Sequence, residues 1–193
     1  LQEDLRNLQT ENAKLTEKVN MLQHARMAHD AANDSKAEEK KIAITFDINW
    51  SEKDYLNEIL NVLDENDVKA TFFVMGKWVK YNETNIKNLI RINKSGHEIG
   101  NHSYVHPMFS KISKERIDDE IEKTESIFKE VIGSNSKIFR FPSGDFNDEV
   151  VKYIEDKGYS CIQWDVDSID YKESGEDIEY NRVIKKIKSG SIV

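Results

Sequence analysis

Short apolar runs alternate with longer amphipathic stretches along residues 41–193. Apolar runs of roughly four to eight residues between polar segments are typical of buried strands. The amphipathic stretches carry helix boundaries, since Ser113 and Asn147 can act as N-caps while Gly133 and Gly158 can end the helices that follow. The apolar runs predict strands at residues 42–46, 68–75, 97–100, 137–141 and 161–166, with another beginning at Ser191.

The alternation of strands and helices predicts an α/β fold with a parallel sheet. Two arrangements fit this pattern, an open doubly wound sheet and a closed β/α barrel. A complete barrel typically needs roughly 200 residues or more, and residues 41–193 are fewer than that. We therefore expect a barrel here to be compact or to be truncated at Val193.

Residues 1–40 follow a different pattern. Leucines at positions 1, 8, 15 and 22 recur every seven residues, which is the heptad spacing of a coiled coil, and the second seam carries Asn12 in its middle. A buried asparagine at such a position favours a parallel pair in register. Residues 27–40 are polar and lack an apolar stripe, as linkers do. We predict a short coiled-coil helix that pairs two copies through residues 1–26, a polar linker to residue 40, and a separate domain at residues 41–193.

The composition narrows the classes of partner. Acidic residues outnumber basic ones 36 to 28, giving a net charge of -8, and such a field disfavours a nucleic-acid backbone as partner. The mean hydropathy of -0.69 leaves no stretch for a membrane span. Cys161 is the only cysteine, which excludes an intrachain disulfide. Because the chain runs from Leu1 to an apolar end at Val193, we expect any signal peptide or membrane anchor to lie outside it.

The candidate chemistry centres on the segment NHSYVHP at residues 101–107. Its histidines, His102 and His106, are four residues apart, and one helical turn would put both imidazoles on the same face, as metal ligands require. Pro107 disfavours a helical conformation at His106, so a short turn after a strand fits better than a long zinc-protease helix. The spacing alone also fits two exposed loop histidines.

Other polar residues stand at the ends of the predicted strands. Asp47 follows the first strand, Arg140 closes the fourth, and Asp167 and Asp170 follow the fifth. In a parallel β/α architecture the carboxyl ends of the strands share one face, where active sites are assembled. We therefore expect these side chains to converge with the two imidazoles. Taken singly, each has a simpler explanation as a helix cap, a surface ion pair or a solvated loop residue.

A calcium-binding loop is an alternative interpretation of the segment DVDSID, residues 165–170. Asp165, Asp167 and Glu176 match three ligand positions of such a loop. Ile169 and Asp170 stand where a further ligand and the turn glycine are required, so the match is incomplete.

Four motifs together resemble those of a known family. TFD at residues 45–47, HSYVH at 102–106, RFPSG at 140–144 and DSIDY at 167–171 resemble, in order and spacing, the motifs of polysaccharide deacetylases that share the NodB homology domain. The resemblance spans residues 41–193 and is strongest to sporulation-type deacetylases. It implies a distorted (β/α) barrel, here truncated at the C-terminus and preceded by the coiled-coil helix.

The resemblance also implies roles for the residues at the strand ends. By similarity, His102 and His106 bind a divalent metal, for which we expect Zn²⁺, and Asp47 is the general base that acts on a water molecule. Arg140 pairs with Asp47 and fixes its orientation. Hydrolysis of an acetamide needs these functions, because the water must be activated and the carbonyl polarised.

Three further residues receive roles by similarity. The backbone N–H of Ser143 helps to stabilise the oxyanion. Asp170 orients a histidine that acts as the catalytic acid, and Tyr171 replaces the family's usual tryptophan in the wall of the substrate groove.

The chain departs from the family pattern at two places. Where the family has a second aspartate that ligates the metal, directly after the base, this chain has Ile48, which cannot coordinate. Two histidines with water and substrate can still complete a tetrahedral shell, although with weaker metal affinity. The motif with the acid histidine is expected beyond Val193. We therefore expect residues 1–193 alone to be a poor catalyst.

These observations predict a metal-dependent N-deacetylase that acts on an amino-sugar polymer at the extracellular cell envelope, and we expect this polymer to be peptidoglycan. A catalytically inactive glycan-binding protein of the same fold is an alternative that Ile48 supports. A coiled-coil envelope assembly protein with a passive barrel is another. Acetate release would separate the enzyme from both.

Overall fold

The computed structural model describes residues 41–51, 54–172 and 174–193. The predicted coiled coil and linker, residues 1–40, lie outside the described residues. The described residues form two compact units. We call residues 44–51 and 69–163 the sheet unit, and residues 41–43, 54–68 and 164–193 the second unit.

Five strands and six helices are present in the described residues. The strands are β1 (Thr45–Ile48), β2 (Thr71–Val74), β3 (Glu98–Asn101), β4 (Ile138–Phe139) and β5 (Ser160–Cys161). The helices are α1 (Leu56–Glu65), α2 (Gly76–Val79), α3 (Glu83–Lys94), α4 (Lys114–Ile132), α5 (Asp148–Glu155) and α6 (Glu176–Ile184). Each strand overlaps or adjoins an apolar run, and an isolated parallel bridge joins Ala43 to Ile192, where the sixth run begins.

All five strands of the sheet unit are parallel and pair in the order β1-β2-β3-β4-β5. The register places Asp47 beside Phe73, and Phe73 beside Gly100. A doubly wound sheet reverses its strand order at a switch point, and these five strands show no reversal. The sequence-based prediction of an α/β fold with a parallel sheet is confirmed. The strands follow one another in chain order, as they do in a β/α barrel.

The capping residues set the bounds of two helices on the sheet unit. The Ser113 side chain accepts a hydrogen bond from the Arg116 N–H at 3.3 Å, and α4 ends at Gly133, whose φ of 77° is left-handed. The Asn147 side chain accepts one from the Val150 N–H at 2.9 Å at the start of α5. Both N-caps agree with the sequence-based prediction.

The core of the sheet unit follows from the apolar runs. Phe72, Phe73 and Val74 on β2 are fully buried, and Phe73 leaves no room for a side chain at Gly100, where a Cβ would lie 2.3 Å from its ring. Close packing of β2 against β3 therefore requires glycine directly before the segment that carries the histidines. A cluster on the side of α4 and α5 is formed by Phe109, Ile117, Ile121, Phe139, Phe141, Val150 and Ile154.

The second unit contains α1, α6 and the chain end. Leu56, Leu60 and Leu63 are the buried face of α1. Asp165 accepts hydrogen bonds from the Ile192 N–H at 2.7 Å and from the Ser191 hydroxyl at 3.0 Å. Within the described ranges, no helix combines the length and the apolar character needed to cross a membrane.

Candidate active site

Asp47 and Arg140 form an ion pair at one edge of the sheet. Asp47 lies on β1 and Arg140 directly follows β4, and Nη1 of Arg140 donates to Oδ1 of Asp47 at 2.9 Å. The carboxylate is 35% exposed, whereas the guanidinium side chain is 3% exposed. The sequence placed both residues at strand ends, and parallel pairing brings these ends to one edge. The Asp47 carboxylate is therefore open to solvent, whereas the Arg140 guanidinium is enclosed by the protein.

The surroundings of Arg140 fix its position. Nη1 also donates to the Thr45 hydroxyl at 2.7 Å, Nε donates to the Ile162 carbonyl at 3.4 Å, and the guanidinium lies 4.0 Å from the centre of the Phe73 ring. Burial lowers the pKa of Arg140, and the adjacent Asp47 raises it in opposition. Arginine remains protonated in proteins, so Arg140 is a rigid positive support for Asp47.

His102 is buried beside this pair. Its Nδ1 lies 3.0 Å from the Arg140 backbone carbonyl, and its Nε2 lies 3.7 Å from Oδ2 of Asp47. A carbonyl only accepts hydrogen bonds, so the proton of a neutral imidazole stays on Nδ1 and the lone pair stays on Nε2, which lies near Asp47. This orientation is the one that a metal-ligating histidine has when its second nitrogen is held by a backbone carbonyl.

His106 lies against His102, with ring centroids 4.9 Å apart and planes at 73°. The segment between them is a loop rather than a helical turn, because Ser103 and His106 have left-handed φ angles of 67° and 62°. The two imidazoles are therefore not brought together by one turn of helix, and this explanation, considered from the sequence, is wrong. Two left-handed residues bring the rings together instead, and the Ser103 hydroxyl accepts the His106 N–H at 2.9 Å.

Burial changes the pKa of both imidazoles. Desolvation lowers the pKa of His102 and of His106 below the ordinary value of 6.5, and the negative charge of Asp47 opposes the shift in each case. Both side chains therefore favour the neutral state, which is the state that can ligate a metal.

Glu120 on α4 anchors the histidine loop. Its Oε2 accepts hydrogen bonds from the Tyr104 and Val105 N–H groups, each at 2.8 Å, and its Oε1 accepts one from Arg116. Glu120 is fully buried. Glu120 is absent from the candidate residues predicted from the sequence. The available signal was an acidic residue on the apolar stripe of α4, between Ile117 and Ile121.

The beginning of the same loop is fixed by a second buried group. Asn101, at the end of β3, accepts the Ser103 N–H at 2.9 Å and donates to Glu125 at 2.7 Å. Glu125 also accepts the Ser136 N–H at 2.8 Å. Burial raises the pKa of Glu125, and these hydrogen bonds oppose the shift. Two buried acids of α4 thus hold the loop that carries the two histidines.

Two side chains of the candidate site, the imidazoles of His102 and His106, have donor atoms that suit a metal ion. The two imidazoles lie together, but the neighbour of Asp47 on β1 is Ile48, whose side chain has no donor atom. Among residues 41–51, 54–172 and 174–193, no group of three or more His, Cys, Asp or Glu side chains is arranged to hold a metal ion. In the segment with the incomplete calcium-loop match, Asp165 accepts hydrogen bonds from the Ser191 hydroxyl and the Ile192 N–H.

Ser143 lies three residues after Arg140, on a short 3₁₀ turn, Pro142–Gly144. Its φ of 55° and ψ of 16° are left-handed, which is uncommon for a residue with a side chain. The turn is held by the Gly144 N–H on the Phe141 carbonyl and by the Asp145 N–H on the Pro142 carbonyl, each at 3.0 Å. Ser143 is exposed. Its role as an oxyanion donor stays a prediction.

Asp170 and Tyr171 belong to the second unit, on a 3₁₀ turn, Asp170–Lys172. Asp170 accepts the Ser168 hydroxyl at 3.0 Å, and Tyr171 is 74% exposed. Their predicted roles, in orienting an acid histidine and lining a groove, stay predictions.

Comparison with known proteins identifies relatives of this chain. The family model for polysaccharide deacetylases matches residues 34–162. A Bacillus cereus protein named peptidoglycan-N-acetylglucosamine deacetylase is 33% identical over 154 residues, which cover 79% of this chain and 54% of the relative. The chain spans about half the length of the first curated relatives it matches.

Solved structures resemble the fold. The crystal structure of BA3943 from Bacillus anthracis, described as a CE4 family pseudoenzyme, matches with a TM-score of 0.74 and 39% identity, covering 80% of this chain and 53% of that one. A BA3943 mutant described as having restored enzymatic activity matches with a TM-score of 0.74 and 40% identity, covering 80% and 55%. From the family match and these similarities, the chain belongs to the polysaccharide deacetylase family.

Proposed function

We propose that this protein removes N-acetyl groups from the amino sugars of a polysaccharide, with peptidoglycan as the substrate. The observation that carries the proposal is the orientation of Asp47. One carboxylate oxygen is held by Arg140 at 2.9 Å, and the other lies 3.7 Å from Nε2 of His102. The similarity to a peptidoglycan-N-acetylglucosamine deacetylase supports this substrate class.

In the proposed reaction, water attacks the carbonyl carbon of the acetamide while Asp47 accepts a proton from it. The C–N bond then breaks, the amine takes up a proton, and acetate and a free amino sugar are released. Arg140 keeps Asp47 oriented throughout. The backbone N–H of Ser143 donates to the developing oxyanion. Asp170 orients the acid histidine, and Tyr171 borders the sugar.

We propose that His102 and His106 hold a divalent metal ion, with Zn²⁺ as the first choice because imidazole nitrogens suit it. Such an ion lowers the pKa of water and polarises a carbonyl oxygen. The contribution of the chain is to keep both imidazoles neutral and to fix His102 through the Arg140 carbonyl.

The Asp47→Asn variant tests the proposal. Asparagine keeps an oxygen for Arg140 but cannot accept the proton, so we expect acetate release by the full-length protein to fall by at least about 10²-fold. Because the enclosed Arg140 loses its counter-charge, thermal unfolding of the variant establishes that it is folded. Asp156→Asn, which changes an exposed carboxylate on the C-cap of α5, is the matched control. Equal acetate release from wild type and Asp47→Asn would contradict the role of Asp47.

A glycan-binding function with little hydrolysis is the second candidate. Ile48 removes a donor beside the base, and the similar BA3943 is described as a pseudoenzyme. Under this candidate the full-length protein binds N-acetylated glycan strands but releases no acetate with any divalent metal ion. Acetate release that requires Asp47 would exclude it.

We also propose that the protein acts at the cell envelope, where its polymer lies, and that residues 1–26 pair two copies as a parallel coiled coil ahead of the domain at residues 41–193. Light scattering of the chain with and without residues 1–40 tests the pairing. A dimer that becomes a monomer on removal is expected, and a monomer in both forms would contradict the pairing.

A further inference from the structure

Trp50 and Tyr81 form an exposed aromatic pair on the sheet unit. Their ring centroids are 5.0 Å apart, and the planes meet at 73°. Trp50 is 45% exposed and Tyr81 is 71% exposed. Trp78, on α2 just before Tyr81, is by contrast 6% exposed. Neither Trp50 nor Tyr81 has a role among the sequence-based predictions.

The pair lies at the same edge of the sheet as the candidate active site. Trp50 follows β1 three residues after Asp47, and three residues span at most about 10 Å. Tyr81 follows the short helix α2, which begins two residues after Val74, the end of β2. Because β1 and β2 are parallel neighbours, both aromatic residues come from chain segments that leave the sheet at its carboxyl edge.

Mutual packing does not account for the exposed area of this pair. An edge-to-face contact contributes about 0.5–1.5 kcal/mol beyond burial of area, but it leaves the ring faces at a steep angle to each other and open to water. Contiguous exposed apolar surface on a soluble protein commonly marks a binding site. The two rings form a corner, so a ligand can stack on the face of one ring and contact the other ring at its side.

Neutral polar groups flank the pair along the chain. The Asn49 side-chain oxygen accepts the Trp50 N–H at 2.7 Å, and the Asn82 side-chain oxygen accepts the Asn85 N–H at 2.8 Å. Each carboxamide also carries two N–H donors, which suit hydroxyl groups. The nearby cation Lys80 is paired with Glu130 at 2.5 Å. The carboxamides and the two rings therefore suit a hydroxyl-rich ligand with an apolar face.

We infer that Trp50 and Tyr81 form a stacking subsite for a pyranose ring of the glycan chain, next to the sugar whose acetamide reacts. A pyranose with equatorial substituents has axial C–H bonds on its faces, which pack on an aromatic face, and hydroxyls around its rim. This inference rests on the proposed function for the identity of the polymer. Under this inference, Trp50 and Tyr81 make the protein bind longer glycan chains more tightly than short ones.

The test is a calorimetric titration of the full chain with chitohexaose and with chitobiose, in a chelator so that no metal-dependent hydrolysis occurs. We expect Trp50→Ala and Tyr81→Ala each to weaken chitohexaose binding about tenfold, the scale of one lost stacking contact, and to change chitobiose binding less. Trp50→Phe keeps an aromatic face and should recover most of the affinity. Tyr180→Ala, which removes a partly exposed ring on α6, should bind as wild type does.

Three outcomes would overturn the inference. They are wild-type chitohexaose binding in both alanine variants, an equal loss in the Tyr180→Ala control, and a concentration-dependent dimer of the domain that the Trp50 and Tyr81 variants abolish. Thermal unfolding of each variant establishes that it is folded. Acetate release is measured separately with metal present. Length-dependent binding without acetate release would support the subsite and contradict the enzyme, whereas acetate release with unchanged binding in the variants would contradict the subsite alone.

Discussion

Ile48 is the residue at which the candidate site departs most from its family. It lies on β1 directly after Asp47, and it has no atom that could ligate a metal. The neighbouring groups are otherwise arranged for the chemistry, with the Asp47–Arg140 pair at 2.9 Å and two adjacent imidazoles. In the proposed metal site, Ile48 therefore stands where the family resemblance implies a third protein ligand.

Replacing Ile48 by aspartate tests this conclusion. We expect Ile48→Asp to raise zinc affinity by about tenfold or more, because it adds a carboxylate to the two imidazoles, and to increase acetate release by the full-length protein. Ile48→Val, which removes one methylene and adds no donor, is the control. Unchanged zinc affinity in Ile48→Asp would show that position 48 does not face the histidines.

The burial of His102 predicts a dependence of stability on pH. Its pKa in the folded protein lies below the ordinary 6.5, so below pH 6.5 the unfolded chain takes up a proton that the native chain does not. This contribution to stability is fully present above pH 6.5 and is lost as the pH falls from there towards the folded pKa.

Denaturant unfolding in a chelator, at about pH 7.5 and about pH 5.5, measures this effect. We expect wild type to lose more stability over this interval than His102→Gln, in which the titrating group is absent. Contributions from the remaining groups are shared by both proteins and cancel in the comparison. The same pH dependence in wild type and variant would contradict a buried, neutral His102.

At the scale of the elements, α4 fixes the loop that carries both histidines. Glu120 accepts two backbone N–H groups of the loop, at Tyr104 and Val105. The start of α2 supports the same loop from another side, since the Gly76 and Lys77 N–H groups donate to the Ser103 and Tyr104 carbonyls, each at 3.0 Å. The separation of the imidazoles is therefore set by helices that do not contribute a ligand.

Truncating Glu120 should release this loop. We expect Glu120→Ala to lower the free energy of unfolding by about 2–5 kcal/mol, because two part-buried N–H groups and Arg116 lose their buried acceptor, and to weaken zinc binding. Glu120→Gln keeps one oxygen for the two N–H groups and should recover most of the zinc affinity. Glu122→Ala, which changes an exposed neighbour on α4, should leave both quantities unchanged. Wild-type zinc affinity in a folded Glu120→Ala variant would contradict the role of Glu120.

The elements were predictable wherever one local pattern decided them. The apolar runs located all five strands, and Ser113 and Asn147 located two helix starts, because burial and capping are local properties. The loop conformation at residues 101–107 was not predictable, since the left-handed angles of Ser103 and His106 depend on Glu120 and on α2, which lie elsewhere in the chain. The contacts of Thr45 with Arg140 escaped prediction for the same reason, as they join residues 95 positions apart.

At the scale of the whole molecule, the Asp47, Arg140, His102 and His106 cluster is assembled entirely within the sheet unit. Sequential parallel pairing explains this, because it brings the carboxyl ends of β1, β3 and β4 to one edge. Family resemblance was needed to assign roles to these residues, since composition and spacing left a surface ion pair and loop histidines as alternatives. Asp170 and Tyr171 lie in the second unit, and their roles remain predictions.

The most direct measurement is a calorimetric zinc titration of this chain beside its His102→Ala variant, above pH 6.5, where histidine is neutral. We expect the wild-type chain to bind zinc and the variant to bind it at least about tenfold more weakly, because one of two protein ligands is lost. Circular dichroism of both proteins establishes that the variant is folded. Equal zinc binding in the two proteins, or none in either, would contradict a metal site formed by His102 and His106, and the glycan-binding candidate would then take precedence.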